Sequence, residues 1–206
     1  MNIDWERLEK QMEFIKEIDK EKQIFRQNFL IDGQRKENDA EHAWHMSIMA
    51  FLLSEYANEE IDVLKTIRML LIHDIVEIDA GDTYAYADVP KAEQHAKEEL
   101  AAKRIFGILP EDQAKEMMEL WEEFEACESK EARFARTLDN LQPMILNDAS
   151  KGMSWDEHKV PLSKIMKRNE PTGKGSEVLW EYGKERIIKK NVELGHIIKD
   201  IPFEEE

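Results

Sequence analysis

The sequence predicts an all-α protein of 206 residues, and three observations support that fold class. Only eight glycines and six prolines interrupt the chain. Apolar residues recur at steps of three and four, which is the spacing of one face of an α-helix. Strict alternation of apolar and polar residues, which marks a half-buried strand, is scarce. We therefore expect a single helical bundle over residues 1–206, with its core at about 25–146 and C-terminal helices at 154–200.

Apolar spacing and capping residues define the helices of the first half. The first helix has the apolar positions Trp5, Leu8, Met12 and Ile15. An irregular stretch follows at 27–37, and a capping box then begins the second helix, because the Asn38 side chain can cap while Glu41 reaches back. The third helix begins near Asp62 and carries one apolar stripe, formed by Leu64, Ile67, Leu71 and Ile75. Residues 79–90 are predicted to form a long loop.

Proline and serine residues mark the starts of the later helices. Pro90 opens a polar helix, since proline is favoured at the beginning of a helix. Two further helices begin at Pro110 and after Ser129, with the apolar positions Met117, Leu120, Trp121 and Phe124 in one and Phe134, Leu138, Leu141 and Ile145 in the other. The segment 171–175 reads as a loop, and a last helix is predicted over about 176–194.

Charge and cysteine content exclude several classes of protein. The chain carries 29 basic and 45 acidic side chains, a net charge of −16. This excess argues against nucleic-acid polymers, whose phosphates are bound by Lys and Arg, and against anionic membranes. The longest nearly apolar run, about 46–53, is far shorter than the roughly 20 residues that span a bilayer. Cys127 has no second cysteine with which to pair, so we expect a cytoplasmic protein in a reducing compartment.

The residues with the strongest chemical signal are His73 and Asp74, which end an apolar helical run. Glu77 follows one turn later on the same face. His42 and His45 form a one-turn pair upstream, and downstream a carboxylate interrupts an apolar pattern at Asp139. Imidazole and carboxylate groups suit Mn²⁺, Co²⁺, Fe²⁺ or Zn²⁺, and the sequence does not rank these ions. The other histidines are expected at the surface, namely His95, His158 and His196.

Four segments resemble the ordered H…HD…D signature of the HD-domain metal-dependent phosphohydrolases, closest to the branch of the 5′-deoxynucleotidases. They are Ala40-Glu41-His42, the segment 71–77, Ala80-Gly81-Asp82 and Thr137-Leu138-Asp139. The resemblance covers about 25–146. It implies a helical HD-domain bundle, one catalytic divalent metal and hydrolysis of deoxyribonucleoside 5′-monophosphates to deoxyribonucleosides and phosphate. Homodimers are also common in that branch, and the expected partner is a small phosphorylated substrate.

The resemblance also implies roles for individual residues. It implies four metal ligands, which are His42, His73, Asp74 and Asp139. Glu77 matches the acid/base position, and Arg26 matches the arginine that orients the phosphate. Within this reading His45 is the rival of His42, and Arg35 is the rival of Arg26. The implied substrate contacts are Arg26, Gln27, Asp74, Asp82, Thr83, Tyr84, Ala85 and Asp139.

Two departures from the family pattern keep other functions open. Gln27 stands where the family has an aromatic residue, and two tyrosines, Tyr84 and Tyr86, follow Asp82. A pocket altered in this way suits another phosphoester, such as a cyclic nucleotide, a triphosphate, an alarmone or a non-nucleotide monoester. A different class is a metal-bound regulatory module without turnover. The presence of Glu77 argues against that class, because a binding module needs no base beside its metal.

Overall fold

A computed structural model of the protein describes residues 3–82, 86 and 90–203. Helix α1, Trp5–Glu17, begins where the Asp4 side chain accepts a hydrogen bond from the Arg7 backbone. Two short strands follow, β1 at Phe25–Phe29 and β2 at Lys36–Asn38. They pair antiparallel, with residue 25 opposite 38 and 29 opposite 36. The stretch that sequence patterning treats as irregular is therefore largely a β-hairpin.

The next helices begin with the predicted side-chain caps. Helix α2 spans Asp39–Leu53, and both hydrogen bonds of its capping box are present. Helix α3 spans Val63–Ile72 and is capped by Asp62. A turn separates it from α4, Glu77–Ala80, so the third predicted helix ends earlier than its apolar pattern suggests. Gly81 closes α4 with a φ of 76°, a conformation that favours glycine.

The second half of the chain is also helical. Three long helices come first: α5 Lys91–Phe106, α6 Glu111–Ala126 and α7 Lys130–Ala149. Two shorter ones follow, α8 Met153–His158 and α9 Leu162–Asn169. The segment Glu170–Lys174, predicted as a loop, is a short 3₁₀-helix. Helices α10 Glu177–Tyr182 and α11 Lys189–Glu193 are joined by a π-helical turn at Gly183–Ile188, so the predicted last helix is continuous.

Helix α7 lies at the centre of the bundle, where it packs against α2, α3 and α6. Its large apolar side chains are buried, including Phe134, Leu138, Leu141 and Met144. Two predicted apolar stripes are only partly buried. On α1 the residues Trp5, Met12 and Ile15 are exposed, and Phe14 is buried. On α3 the residues Leu64 and Leu71 are exposed, because the opposite face with Met69, Leu70 and Ile72 packs inward.

Within the described residues, none of the helices combines the length and apolar character that crossing a membrane requires.

Candidate metal centre

Three packed helices bring four of the predicted side chains to one point. His42 lies in the first turns of α2, and Asp139 lies in the middle of α7. His73 and Asp74 directly follow α3, where the backbone leaves the helix. Because α2, α3 and α7 pack against one another, residues far apart in sequence meet between them. All four residues are buried.

The ligating atoms of these side chains form a tight cluster. Nε2 of His42 lies 3.3 Å from Oδ1 of Asp139 and 3.9 Å from Oδ2 of Asp74. Nε2 of His73 lies 3.1 Å from Oδ2 of Asp74 and 3.7 Å from Oδ1 of Asp139. One atom each from His42, His73 and Asp139 lies within 4.8 Å of the others, so these three residues form a candidate metal site.

Both imidazoles are oriented as metal ligands require. Nδ1 of His73 lies 3.0 Å from the Leu70 carbonyl oxygen, to which it donates, so Nε2 is the nitrogen that can bind a cation once it has lost its proton. Nδ1 of His42 lies 2.9 Å from Oε1 of Gln142, whose amide nitrogen donates to Glu37 over 2.7 Å. Nε2 of His73 is buried and has no hydrogen-bond partner among the described residues. Two oriented nitrogens facing carboxylates therefore fit a divalent cation.

The charges within the cluster stabilise one another. Burial alone would lower the pKa of His73, but Asp74 and Asp139 raise it to about 10. Burial would raise the pKa of both aspartates, yet the nearby imidazoles of His42 and His73 hold the pKa of Asp139 well below its usual range. His73 and Arg26 likewise lower the pKa of Asp74. A cation that binds here displaces protons from the imidazoles, so binding releases protons.

Arg26, on β1, lies directly beside the cluster. Its Nη1 donates to Oδ2 of Asp74 over 2.7 Å and to Oδ1 of Asp39 over 3.2 Å. Its Nε is buried and has no hydrogen-bond partner among the described residues. The Nε side of the guanidinium can therefore receive an anionic ligand beside the cluster. Asp39 is the first residue of α2 and is fully buried, and sequence reasoning did not single it out.

Glu77 and Asp82 lie on the same side of the cluster as Arg26. Oε2 of Glu77 is buried without a hydrogen-bond partner among the described residues. Burial, together with the carboxylates of Asp74 and Asp39, raises the pKa of Glu77 well above its usual value. Burial also raises the pKa of Asp82. The remaining predicted contacts of this loop, Thr83, Tyr84 and Ala85, lie outside the described residues.

These groups open into one cavity of about 750 Å³. Residues at the cluster form one part of its wall, including Arg26, His73, Asp74, Glu77, Asp82 and Asp139. Gln27 also lines the cavity, and its Oε1 accepts a hydrogen bond from Lys36 over 2.7 Å. The cavity is large enough to hold a small organic phosphate, since ligand pockets commonly measure about 300–1,000 Å³.

The rival residues lie away from the cluster. Nδ1 of His45 lies 3.1 Å from the Gln142 amide nitrogen, behind His42. Arg35 is largely exposed and forms an ion pair with Glu41. His95 is exposed as predicted, but it is not isolated, because it forms a group of possible ligands with Glu98 and Glu125. Patterning misses that group because Glu125 comes from the neighbouring helix α6.

Two residues of α7 that contact the cluster were also missed. Nη1 of Arg136 donates to Oδ2 of Asp139 over 3.2 Å, and its guanidinium stacks over Phe124 at 4.1 Å. Gln142 orients His42. Both lie three residues from Asp139, and residues at this spacing are neighbours on a helix surface. That spacing is the signal that could have identified them.

Residues 18–180 match the family model of the HD domain, which covers well over half of the chain. The chain belongs to the HD domain family. A crystal structure from Magnetospirillum magnetotacticum MS-1, described as a predicted metal-dependent phosphohydrolase, shares this fold. Its TM-score is 0.87 at 47% sequence identity, and the match covers 93% of this chain and 96% of that one. Helical fold and HD family thus agree with the sequence prediction.

Curated relatives of this HD protein carry a more specific name. The 5′-deoxynucleotidase HDDC2 of Homo sapiens is 39% identical over 55% of this chain and 53% of its own length. The protein of the same name from Dictyostelium discoideum is 30% identical over 73% of this chain and 83% of its own length. The match thus spans about half the length of the human relative.

Proposed function

We propose that this HD protein is a metal-dependent phosphohydrolase that converts deoxyribonucleoside 5′-monophosphates into deoxyribonucleosides and phosphate. The observation that carries the proposal is the position of Arg26, whose buried and unpaired Nε lies beside the candidate metal site. A cation and an arginine side by side form a site for a phosphate group. The names of the relatives, 5′-deoxynucleotidase and metal-dependent phosphohydrolase, support this class of substrate.

In this proposal one divalent cation is held by the side chains of four residues, namely His42, His73, Asp74 and Asp139. The geometry that supports them is the set of contacts at 3.1–3.9 Å between their ligating atoms. Mn²⁺, Co²⁺, Fe²⁺ and Zn²⁺ all suit two imidazoles and two carboxylates. The chemistry that such an ion supplies when bound is activation of a water and polarisation of a phosphoryl oxygen.

Arg26 binds the phosphate group of the substrate in this proposal. Asp74 and Asp39 hold its Nη1, and the planar guanidinium is therefore fixed in direction. The Nε side then donates to the phosphate oxygens. An arginine can make two parallel hydrogen bonds to a phosphate, which fixes the orientation of the phosphorus as well as its position. The oxygen that leaves is thereby directed toward Glu77.

Glu77 is the proton-transfer group of the proposed reaction. Burial and the neighbouring carboxylates raise the pKa of Glu77, which favours the protonated carboxyl group. A water oxygen forms a bond to phosphorus while the bond between phosphorus and the 5′ oxygen breaks. Glu77 gives its proton to the departing 5′ oxygen and regains one from the attacking water. The products are a nucleoside and inorganic phosphate, and such proton transfer contributes about 10²–10⁴-fold to the rate.

Asp82 recognises the sugar in this proposal. It lines the cavity next to Glu77, where it can accept a hydrogen bond from the 3′-hydroxyl group. The proposal requires that a 2′-hydroxyl group at this position finds no acceptor and stays unpaired. Because a buried unpaired polar group is costly, deoxyribonucleotides are favoured over ribonucleotides.

We also propose that the chain forms a single HD domain and assembles as a homodimer through the outer face of α2. Four large apolar side chains are exposed on that face, which are Trp44, Ile48, Phe51 and Leu52. Residues 42–53 contain no Asp, Glu, Lys or Arg. A neutral apolar face suits a second copy of an otherwise acidic chain.

The free thiol of Cys127 supports a reducing, cytoplasmic location.

A phosphate-release screen tests the proposed function. Metal-free protein is supplied with Mn²⁺, Co²⁺, Fe²⁺, Zn²⁺ or Mg²⁺ and then with deoxyribonucleoside 5′-monophosphates, ribonucleoside 5′-monophosphates, 3′-monophosphates, cyclic nucleotides and triphosphates. We expect the fastest release from the deoxyribonucleoside 5′-monophosphates and none from the 3′-monophosphates. Faster turnover of a cyclic nucleotide, a triphosphate or a non-nucleotide ester would replace the proposed substrate. No turnover of any phosphoester with any metal would favour a regulatory module.

A further inference from the structure

One wall of the cavity is formed by α7 beyond the metal centre. Besides Arg136, the residues of α7 that line it are Asp139, Asn140, Pro143, Met144 and Asn147, which are spaced as one face of a helix. Two of these residues are asparagines that are almost completely buried, with 4% of Asn140 and 5% of Asn147 exposed. Buried amides are normally fully hydrogen-bonded, so the partners of these two side chains are informative.

Each amide has one end paired and the other end unpaired. Nδ2 of Asn147 donates to the Pro143 carbonyl oxygen over 3.0 Å. Because a carbonyl oxygen can only accept, this contact fixes which end of the amide is the nitrogen. Oδ1 of Asn147 is then left buried with no hydrogen-bond partner among the described residues. Asn140 is similar, since its Nδ2 donates to Oγ1 of Thr172 over 3.2 Å and its Oδ1 has no such partner.

The two asparagines lie at different distances from the metal centre along α7. Asn140 is the residue directly after Asp139, so it lies at the level of the phosphate and the sugar. Asn147 is eight residues after Asp139, which places it about 12 Å farther along the helix axis. Of the two asparagines, Asn147 is therefore the one at the distance of the base in a nucleoside monophosphate whose phosphate lies at the metal centre and Arg26.

The part of the cavity around Asn147 suits a neutral ring. The described lining residues from Pro143 to the end of α9 include no acidic side chain and a single basic one, Arg168. The almost completely buried residues Trp155 and Met144 line the cavity there and contribute apolar side chains to its wall. The acidic lining residues Glu98 and Glu125 belong to α5 and α6 instead. A nucleobase combines an apolar ring with hydrogen-bonding groups at its edge. It can therefore pack on the apolar lining and bond to Oδ1 of Asn147.

We propose that Oδ1 of Asn147 accepts a hydrogen bond from an exocyclic amino group of the substrate's base. This inference rests on the proposed nucleotidase function. Adenine, cytosine and guanine carry such a group. Thymine lacks one, and its single N–H lies between two carbonyl oxygens that an acceptor repels. Amino-bearing deoxyribonucleotides are thus better substrates than thymidine 5′-monophosphate. Asn147 is a specificity-determining residue, and the reaction itself does not depend on it.

The test compares kcat/KM for dAMP, dCMP, dTMP and deoxyribose 5-phosphate, which has no base. In the wild-type protein we expect about tenfold higher kcat/KM for dAMP and dCMP than for dTMP, the effect of about one buried hydrogen bond. Asn147→Leu should lower kcat/KM for dAMP and dCMP to the value for dTMP. It should leave kcat/KM for deoxyribose 5-phosphate unchanged. The matched control is Asn28→Ala, because Asn28 also lines the cavity and donates to the Pro143 carbonyl over 3.1 Å. Asn28→Ala should keep the higher kcat/KM for dAMP and dCMP than for dTMP.

A binding measurement separates this inference from the proposed function. Titration calorimetry of the wild-type protein with deoxyadenosine and thymidine should show tighter binding of deoxyadenosine, and Asn147→Leu should remove the difference. If no nucleoside monophosphate is hydrolysed, the proposed function fails and this titration alone decides the subsite. Equal kcat/KM for dAMP and dTMP in the wild type would overturn the inference. The inference would also be overturned if Asn147→Leu lowered kcat/KM for deoxyribose 5-phosphate as much as for dAMP, since that result indicates a structural role.

Discussion

Arg26 donates through Nη1 to Oδ2 of Asp74 over 2.7 Å, and both side chains are largely buried. The proposed phosphate-binding residue is thus tied to a proposed metal ligand. Burial by itself would lower the pKa of Arg26, but Asp74, Glu77 and the other nearby carboxylates raise it well above its usual value. The guanidinium is therefore charged at every working pH, and its direction is fixed by groups that also shape the metal centre.

Replacing this guanidinium tests its proposed contact with phosphate. Arg26→Lys keeps the positive charge but removes the planar fork that binds two phosphate oxygens. We expect KM for dAMP to rise by about tenfold or more, with a smaller change in kcat. Steady-state phosphate release measures both constants. Arg35→Lys is the control, because Arg35 pairs with Glu41 at the surface. An Arg26→Lys variant with the KM of the wild type would remove Arg26 from phosphate binding.

The role of Glu77 is tested by replacing it with glutamine, which has a similar shape but no acidic proton. In Glu77→Gln we expect kcat to fall by about 10²-fold or more, since proton transfer contributes about that much. Metal content and KM should stay near the wild-type values. Asp79→Asn is the control on the same short helix, because Asp79 forms an ion pair with Arg104 instead. Near-native turnover by Glu77→Gln would show that another group transfers the proton.

Glu21 gives a prediction about stability and pH. Its side chain is buried, and burial together with Asp74 raises its pKa from 4.5 to about 7. The folded state therefore binds this proton more tightly than the unfolded state, and the contribution of Glu21 to stability falls as pH rises from about 4.5 to about 7. Glu21→Gln should raise the free energy of unfolding at pH 8 by up to about 3 kcal/mol and change it little at pH 4.

Urea unfolding of metal-free protein at the two pH values measures this effect. Glu17→Gln is the control, because Lys20 and Arg104 lower the pKa of Glu17 and its charge is stabilising. That variant should gain no stability at pH 8. A Glu21→Gln variant that is destabilised at pH 8 would show that the carboxylate is stabilised in the folded protein.

The proposed dimer predicts a change of mass when the α2 face is charged. Phe51 is 67% exposed on that face, so Phe51→Glu places a carboxylate at the interface without disturbing the core. We expect a dimer for the wild type and a monomer for the variant in size-exclusion chromatography with light scattering. Leu64→Glu, at an equally exposed leucine on α3, should remain dimeric. A monomeric wild type at micromolar concentration would contradict the proposal.

The sequence predicts helices and their starts well, because caps and apolar spacing act locally. Asn38 and Asp62 cap their helices as expected. The β-hairpin was missed because its strands are short and not regularly alternating, so that pairing between them and packing determine the structure. The face of α3 was only partly predicted: both of its sides carry apolar residues, and only the neighbouring helices decide that Leu70 is buried and Leu71 exposed.

The candidate site shows the same limit. The ordered motif indicates His42, His73, Asp74 and Asp139, and the structure brings these residues together. Asp39 escaped notice because a carboxylate in the first turn of a helix is common for reasons of helix stability alone. Its contact with Arg26 joins α2 to a residue of β1 that lies 13 residues earlier in the chain. Such contacts arise from packing, and no local spacing reports them.

The central claim is that a bound metal ion at this cluster is needed for phosphate release. The most direct measurement follows phosphate release from dAMP by chelator-stripped protein before and after Mn²⁺ or Co²⁺ is restored, together with Asp139→Ala and His45→Ala. We expect no activity in the stripped protein, recovery on reloading, no recovery in Asp139→Ala and near-native recovery in His45→Ala. Activity in the stripped protein, or full recovery in Asp139→Ala, would contradict the account.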